Sequence, residues 1–253
     1  MTKRLHLDII GKGHPLIMLH GWGWNSCIWQ PLVPKLIENF QLFLIDLPGF
    51  GESPLVTKDY KIDDVVKVLL EITPKEASWL GWSLGGMIAW YVALHYPERV
   101  TSLVTVASSP KFISEENWPG VSLETLEKFS HLITENYQKT LLEFLELQLR
   151  GTPKNRELLE SLKEIILRSP VSIAALSGGL KLLQELDLRG KLFELQCPSL
   201  HLFGSHDTLV PASVIEKIEG RLPKGKCGVI KRAGHMPFLS HEEVFLKWVE
   251  EFL

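Results

Sequence analysis

The segment Trp79-Leu80-Gly81-Trp82-Ser83-Leu84-Gly85-Gly86 contains the pattern Gly-x-Ser-x-Gly. An apolar run precedes the serine at residues 78–81, and a helical apolar pattern follows it. Strand, sharp turn and helix form the context in which this pattern exposes a reactive serine. Glycines two positions on either side leave room for such a turn. We therefore predict that Ser83 is a nucleophile; the alternative is a glycine-rich turn that only caps a helix.

Short apolar runs bounded by turn residues recur along the chain and alternate with helical patterns. The predicted strands are residues 16–19, 42–46, 78–81, 103–107, 199–203 and 228–231. Residues 4–9 alternate in polarity and are predicted to form an edge strand. The alternation of strands with helices predicts an α/β fold with a mostly parallel sheet, whose apolar strands are covered on both faces.

The middle of the chain has helical periodicity and no convincing strand. Helices are predicted at residues 123–134, 137–150, 156–168 and 171–183, with breakers at 151–153 and 169–170. Because strands resume near residue 198, we interpret residues 113–188 as a helical cap inserted between core segments 1–112 and 189–253. An unrelated fused helical domain is the alternative.

Composition excludes several classes of protein. The chain has 253 residues, 45% of them apolar, and a net charge of −3, which argues against a nucleic-acid binder. No apolar run approaches the roughly 18 to 20 residues that span a bilayer, and the N-terminus does not resemble a signal peptide. Cys27, Cys197 and Cys227 form no metal-binding or disulfide pattern. We expect a cytoplasmic monomer without metal or cofactor.

A loop after an early strand is the candidate oxyanion segment. His20-Gly21-Trp22-Gly23-Trp24-Asn25 directly follows the predicted strand at 16–19. A tetrahedral intermediate needs two donors on its oxygen. We predict that these are the backbone N–H groups of Leu84 and Trp22. His20 is interpreted as structural.

The acid and the base are predicted from their order after Ser83. His235 follows the last strand on a loop that glycine and proline bound, and Asp207 follows the strand at 199–203. The order Ser, Asp, His is the one expected in this fold. Asp207 would accept the Nδ1–H of His235 and stabilise its imidazolium form. Asp46 also ends a strand, but it precedes Ser83 and is interpreted as structural.

The remaining histidines are weaker candidates for the base. His241 starts a helical pattern, and His95 lies at a helix end before Tyr-Pro. His206 is the neighbour of Asp207, so its side chain is expected to point elsewhere.

Together these motifs resemble the α/β-hydrolases: His20-Gly21-Trp22-Gly23, Asp46-Leu47-Pro48-Gly49-Phe50-Gly51 and Gly81-Trp82-Ser83-Leu84-Gly85-Gly86. The sequence also shows a more specific resemblance to the pimeloyl-acyl-carrier-protein methyl ester esterases of bacterial biotin synthesis. Trp118-Pro119-Gly120 and Phe144-Leu145-Glu146-Leu147-Gln148 carry that closer resemblance, which runs over essentially the whole chain.

The resemblance implies Ser83, Asp207 and His235 as the triad. It implies substrate contacts at Trp22, Ser83, Leu84 and His235, and along the segment Phe144, Leu145, Glu146, Leu147 and Gln148. It also implies hydrolysis of a methyl ester on a pimeloyl chain that acyl carrier protein carries.

One departure bears on the carrier protein. The family is expected to present basic cap residues, but residues 139–168 hold six Lys or Arg and five Glu, a net charge of 6 − 5 = +1. Lys139 and Arg156 fall where the family is basic, whereas Glu143 and Glu160 fall where arginine is expected. Docking of the carrier protein and a mixed solvated helix face both stay open.

Several rival functions also stay open. The nearest is an esterase with broad preference for short acyl groups; a carbon–carbon bond hydrolase and a proline iminopeptidase are more remote. Dehalogenases and epoxide hydrolases are disfavoured because they use Asp where this chain has Ser83. A receptor or scaffold with a hydrolase fold belongs to a different class, and such proteins often lose a triad member.

Overall fold

The computed structural model describes residues 4–56, 59–150, 152 and 156–253, and only the backbone of residues 156 and 157. One seven-stranded sheet runs through the described chain, in the order β1-β3-β2-β4-β5-β6-β7. The strands are β1 (Leu7–Gly11), β2 (His14–Leu19), β3 (Phe40–Ile45), β4 (Ala77–Trp82), β5 (Val100–Val106), β6 (Ser199–Gly204) and β7 (Gly225–Ile230).

The sheet is parallel except at one edge. Strand β1 pairs antiparallel with β3, and the other neighbours pair in parallel. The prediction of a mostly parallel sheet with an N-terminal edge strand is therefore confirmed. That edge strand occupies Leu7–Gly11 instead of residues 4–9, because its pairing with β3 sets the register.

Burial follows the position of each strand in the sheet. All six residues of β4 and all six of β6 are buried, as expected for strands covered on both faces. The same expectation is wrong for the last strand. Val229 in β7 is 40% exposed, because β7 lies at the edge of the sheet and has a neighbour on one side only.

Nine helices accompany the described strands. They are α1 (Val33–Leu36), α2 (Ile62–Ile72), α3 (Leu84–His95), α4 (Leu123–Gln148), α5 (Arg156–Arg168), α6 (Ile173–Glu185), α7 (Ile215–Ile218), α8 (Pro237–Ser240) and α9 (Glu242–Phe252). Shorter 3-10 segments connect them, among them Ser26–Leu32. None of the helices in the described chain has the length and apolarity to cross a bilayer.

Helices α4, α5 and α6 lie between β5 and β6 in the chain, as predicted for the helical insertion, by which we mean residues 113–188. The two helices predicted at 123–134 and 137–150 form a single helix, α4. Its backbone is nevertheless non-helical at Asn136 (φ −157°, ψ 90°), which bends it at the predicted break. The breaker residues 151 and 153 lie outside the described residues.

The insertion is anchored to the core where the chain leaves and returns. Lys111 and Asp187 form an isolated antiparallel bridge, and their side chains form an ion pair at 3.3 Å. Arg189 binds Asp187 at 2.6 Å and Glu115 at 3.0 Å. The division of the chain at residues 112 and 188 is consistent with these anchors and stays a prediction.

Candidate active site

Ser83 lies at the turn between β4 and α3. Its backbone has φ 54° and ψ −118°, an unusual conformation for a residue with a side chain. Close packing holds the turn in place. A Cβ on Gly85 would lie 2.4 Å from the Leu19 carbonyl oxygen, and one on Gly81 would lie 2.3 Å from the Gly85 carbonyl oxygen. A side chain at either glycine of the pattern would therefore collide with the backbone, so both positions require glycine.

The structure brings the three predicted triad side chains together. Ser83 Oγ lies 3.0 Å from His235 Nε2, and His235 Nδ1 lies 2.8 Å from Asp207 Oδ2. Ser83 and His235 are each 1% exposed. Since a carboxylate can only accept, Nδ1 carries the proton and Nε2 is free to accept the hydroxyl proton of Ser83.

The loop after β6 fixes Asp207. Its Oδ1 accepts hydrogen bonds from the N–H groups of Leu209 at 2.8 Å and Val210 at 3.0 Å. These two donors stabilise the carboxylate and leave Oδ2 for His235.

The loop after β7 carries His235, and it is held from two sides. The His235 carbonyl oxygen accepts a hydrogen bond from Trp82 Nε1 at 2.8 Å. The His235 N–H donates to the carbonyl oxygen of Gln148, at the end of α4, at 3.4 Å. The helical insertion thus contacts the backbone of the predicted base directly.

The predicted oxyanion donors follow the carboxyl ends of two neighbouring parallel strands, and so lie at the same end of the sheet. Trp22 follows β2 and Leu84 follows β4, and both residues are fully buried. Within the described part of the chain, neither N–H donates to a protein acceptor. Both groups can therefore donate to a ligand.

His20 and Asp46 are bonded in ways that agree with structural roles. His20 Nε2 accepts the Leu47 N–H at 2.9 Å, and its Nδ1 donates to the Gly21 carbonyl oxygen at 2.8 Å. The ring is neutral because its Nε2 accepts a hydrogen bond, and burial lowers the pKa of His20 in the same sense. Asp46 accepts the N–H groups of Ser26 at 2.7 Å and Glu52 at 2.9 Å, joining two loops.

The other histidines that follow Ser83 in the chain lie at the surface or bond other groups. His206 is exposed. His201 is buried in β6 between Thr105 Oγ1 at 2.7 Å and Ser199 Oγ at 3.0 Å, and burial lowers its pKa to about 3. His95 bonds the Tyr91 carbonyl oxygen at 2.9 Å.

The cysteines are free thiols. Burial raises the pKa of Cys197 to about 11 and that of Cys227 to about 12. Neither is a thiolate near neutral pH. In the described chain, no group of three or more His, Cys, Asp or Glu side chains could hold a metal ion.

Helix α4 distributes the segment at residues 144–148 over two sides. Phe144 packs edge-on against Trp22, with ring centroids 4.8 Å apart. Gln148 is fully buried, and its Oε1 accepts the Trp24 indole N–H at 3.0 Å. Leu145 is buried and Leu147 is half-buried, whereas Glu146 faces solvent.

Charges on the insertion form pairs along its helices. Lys139 lies 3.9 Å from Glu143, Lys163 lies 3.4 Å from Glu160, and Arg168 lies 2.8 Å from Glu164. Lys154 and the side chains of Arg156 and Glu157 lie outside the described residues. Lys139, Lys163 and Arg168 therefore each have an acidic partner from their own helix, whereas the exposed Arg150 has no ion pair among the described residues.

Three residues at the site are absent from the sequence predictions. Trp82 bonds the His235 carbonyl oxygen in the loop at residues 231–236, which we call the base loop, and Trp24 bonds Gln148. Ser108 Oγ donates to the Ser83 carbonyl oxygen at 2.8 Å. Trp82 could have been suspected from its place inside the Gly-x-Ser-x-Gly pattern. The partners of Trp24 and Ser108 leave no local signal.

The model of the alpha/beta hydrolase fold family matches residues 14–242. This chain belongs to the α/β-hydrolase family. One relative is the pimeloyl-acyl-carrier-protein methyl ester esterase of Photobacterium profundum, which is 40% identical over 254 residues that cover 100% of both chains. Another is the esterase of the same name from Pectobacterium atrosepticum, which is 40% identical over 98% of both chains. At this identity over the full length, the chain belongs to the same esterase family.

Solved α/β-hydrolases share the fold. An esterase from Exiguobacterium antarcticum superposes with a TM-score of 0.89 at 21% identity, covering 98% of this chain and 94% of its own. At that identity the likeness shows the fold alone.

Proposed function

We propose that this chain is a serine carboxylesterase that hydrolyses the methyl ester of a pimeloyl group carried by acyl carrier protein. The observation that carries the proposal is the buried relay from Ser83 Oγ through His235 to Asp207, with contacts of 3.0 and 2.8 Å. It occurs in a chain whose full-length relatives are named for this substrate.

The reaction proceeds by acyl transfer to Ser83. His235 Nε2 takes the hydroxyl proton as Oγ attacks the ester carbonyl carbon, and the N–H groups of Leu84 and Trp22 bind the oxyanion. The imidazolium then protonates the departing methoxy group, which leaves as methanol. Water, activated by the same nitrogen, cleaves the acyl-enzyme to the free acid and restores Ser83.

Asp207 maintains the geometry of the base. Its Oδ2 accepts the Nδ1–H of His235 at 2.8 Å and so fixes the tautomer that the first step requires. Because its Oδ1 is already bonded to two backbone N–H groups, the carboxylate stays in one orientation while the charge on His235 changes.

The helical insertion selects the acyl group. Phe144 packs against Trp22, and Leu145 is buried on the same helix, so this part of α4 supplies apolar side chains that suit the methylene chain of a pimeloyl ester. Gln148 Nε2 is buried and has no partner among the described residues. An unpaired buried donor is costly, and a carbonyl oxygen of the acyl chain would satisfy it.

A broad esterase for short acyl groups is the second candidate. The observation that favours it is the pairing of Lys139, Lys163 and Arg168 with glutamates of the same helices. Such pairing reduces the positive charge that these three residues offer to an acidic carrier protein.

The decisive experiment compares two substrates for the purified protein. We expect methanol release from pimeloyl-acyl-carrier-protein methyl ester at a kcat/KM well above that for p-nitrophenyl acetate. In a bacterial strain that lacks its own pimeloyl-ester demethylase, the wild-type gene should restore growth without biotin, and the Ser83→Ala variant should not. If the protein cleaves p-nitrophenyl acetate efficiently but neither prefers the carrier-protein substrate nor restores growth, it is an esterase with broad preference for short acyl groups. No labelling of Ser83 by a fluorophosphonate would reject both.

A further inference from the structure

Trp82 connects the turn that carries Ser83 to the loop that carries His235. It is the last residue of β4, directly before Ser83, and its indole N–H donates to the His235 carbonyl oxygen at 2.8 Å. The bond is buried and joins positions 153 residues apart. It is also shorter than the other backbone tie of His235, the 3.4 Å contact with Gln148.

The indole has little freedom to move. A Cβ on Gly21 would lie 3.0 to 3.2 Å from the Trp82 ring, so the ring rests directly on the backbone before Trp22. Phe238 lies at a ring-centroid distance of 5.2 Å and Trp24 at 5.9 Å. The direction of the indole N–H is therefore set by the oxyanion segment on one side and the base loop on the other.

The base loop needs such a tie. Arg232 in this loop has φ 62°, which is strained for a residue with a side chain. The backbone of His235 determines where its ring lies, and Nε2 must stay within hydrogen-bond reach of Ser83 Oγ. Displacement of a catalytic group by about 1 Å can reduce a rate by about 100-fold.

We propose that Trp82 is a positioning residue for the reaction: its indole N–H holds the His235 peptide so that the imidazole stays aligned with Ser83. This inference rests on the proposed hydrolase function. It assigns the indole no contact with substrate, so its loss lowers kcat and leaves KM nearly unchanged.

Trp82→Phe removes the N–H and part of the ring, and Trp29→Phe is its matched control. Trp29 is equally buried, packs on the same Phe238 at 4.7 Å, and its Nε1 has no partner in the described chain. With p-nitrophenyl acetate, we expect Trp82→Phe to lower kcat by about tenfold or more at similar KM. Trp29→Phe should keep kcat within about twofold.

An isosteric replacement separates the hydrogen bond from packing. Benzothienylalanine at position 82 keeps the bicyclic ring and replaces N–H by sulfur, so it should reproduce the loss of kcat with a native circular dichroism spectrum. The downfield proton signal of His235 Nδ1–H should also broaden or move, which a purely structural role would not cause. Equal effects of Trp82→Phe and Trp29→Phe, or full activity of the isostere, would overturn the inference.

The same experiment separates this inference from the proposed function. If wild type neither cleaves esters nor reacts with a fluorophosphonate at Ser83, the hydrolase proposal fails, and the role of Trp82 fails with it. If wild type is active and the variants at position 82 match the control, only the role of Trp82 is rejected.

Discussion

The sheet with its strand-end loops and the helical insertion treat their polar groups at the site differently. On the sheet side, both oxygens of Asp207 and both ring nitrogens of His20 and His235 have partners. On the insertion side, Gln148 Nε2 and Thr152 Oγ1 are buried without a partner among the described residues. On the sheet side the side chains of the predicted triad are thus paired with one another, and the donors left unpaired in the described chain are the backbone N–H groups of Trp22 and Leu84. On the insertion side the unpaired atoms of the described residues belong to side chains.

The largest expected effect separates chemistry from stability within the sheet. Asp207→Asn should lower kcat by about 10⁴-fold with little change in the free energy of unfolding, because it disturbs the tautomer of His235. Asp46→Asn is the matched change at another strand end. It should cost about 1 to 3 kcal/mol of stability, because Oδ1 and Oδ2 of Asp46 each accept a backbone N–H and an amide can replace only one of them. At Asp207 both N–H groups bond Oδ1, so the amide oxygen of an asparagine can keep them.

Ester hydrolysis and urea unfolding of both variants measure these effects. A large loss of kcat in Asp46→Asn at unchanged stability would show that the two carboxylates do not divide the roles in this way.

The second prediction tests which side of α4 meets the substrate. Phe144→Ala should cost about 3 kcal/mol of stability and raise KM for a pimeloyl methyl ester by about tenfold, because it removes a buried ring that packs on Trp22. Glu146→Ala, two residues further and exposed, should change stability by less than about 0.5 kcal/mol.

Steady-state kinetics with acyl chains of increasing length decide this prediction. A similar KM for the two variants at every chain length would remove the insertion from acyl selection.

The smallest expected effect is the dependence of stability on pH that comes from His201, a buried histidine in β6. Burial lowers the pKa of His201 to about 3, from 6.5 for an ordinary histidine. As pH falls from 6.5 toward 3, the unfolded chain binds a proton that the folded chain does not. The free energy of unfolding should therefore fall by about 1.4 kcal/mol per pH unit for this residue, and be unaffected by it at higher pH.

His201→Gln should remove this residue's contribution to the dependence of the free energy of unfolding on pH. His131→Gln, a change at an exposed position on α4, should leave that dependence unchanged. Urea midpoints at pH 7.5, 6 and 5 provide the comparison. Equal slopes for wild type and His201→Gln would mean that His201 takes up its proton without unfolding.

Much of the sheet and the order of the candidate triad follow from local sequence. The apolar run at 78–81 predicts a strand, and the structure has one at Ala77–Trp82. The break predicted between residues 134 and 137 corresponds to the bend at Asn136. Apolar periodicity and turn residues carry these predictions because they act over a few neighbouring residues. The catalytic and oxyanion roles assigned to the site stay predictions until the kinetics are measured.

Other features could not be read in this way. Uniform apolarity predicts that residues 228–231 form a fully covered strand, but the position of β7 in the sheet decides its exposure. The bonds from Trp82 to His235 and from Trp24 to Gln148 join residues 153 and 124 positions apart. Such pairs leave no pattern along the chain, because folding alone creates their proximity.

The sequence by itself determined the α/β sheet, the turn that carries Ser83, and the order in which an acid and a base follow it, since each of these segments has its own local pattern of apolar and turn residues. The tertiary structure decided that His235 reaches Ser83, that Asp207 reaches His235, and that Trp82 bonds the loop of His235. It also decided that Phe144 and Gln148, but not Glu146, face inward. The physical reason is that these contacts depend on the packing of β4, β6, β7 and α4, and distances of about 3 Å between such elements are fixed only when the whole core closes.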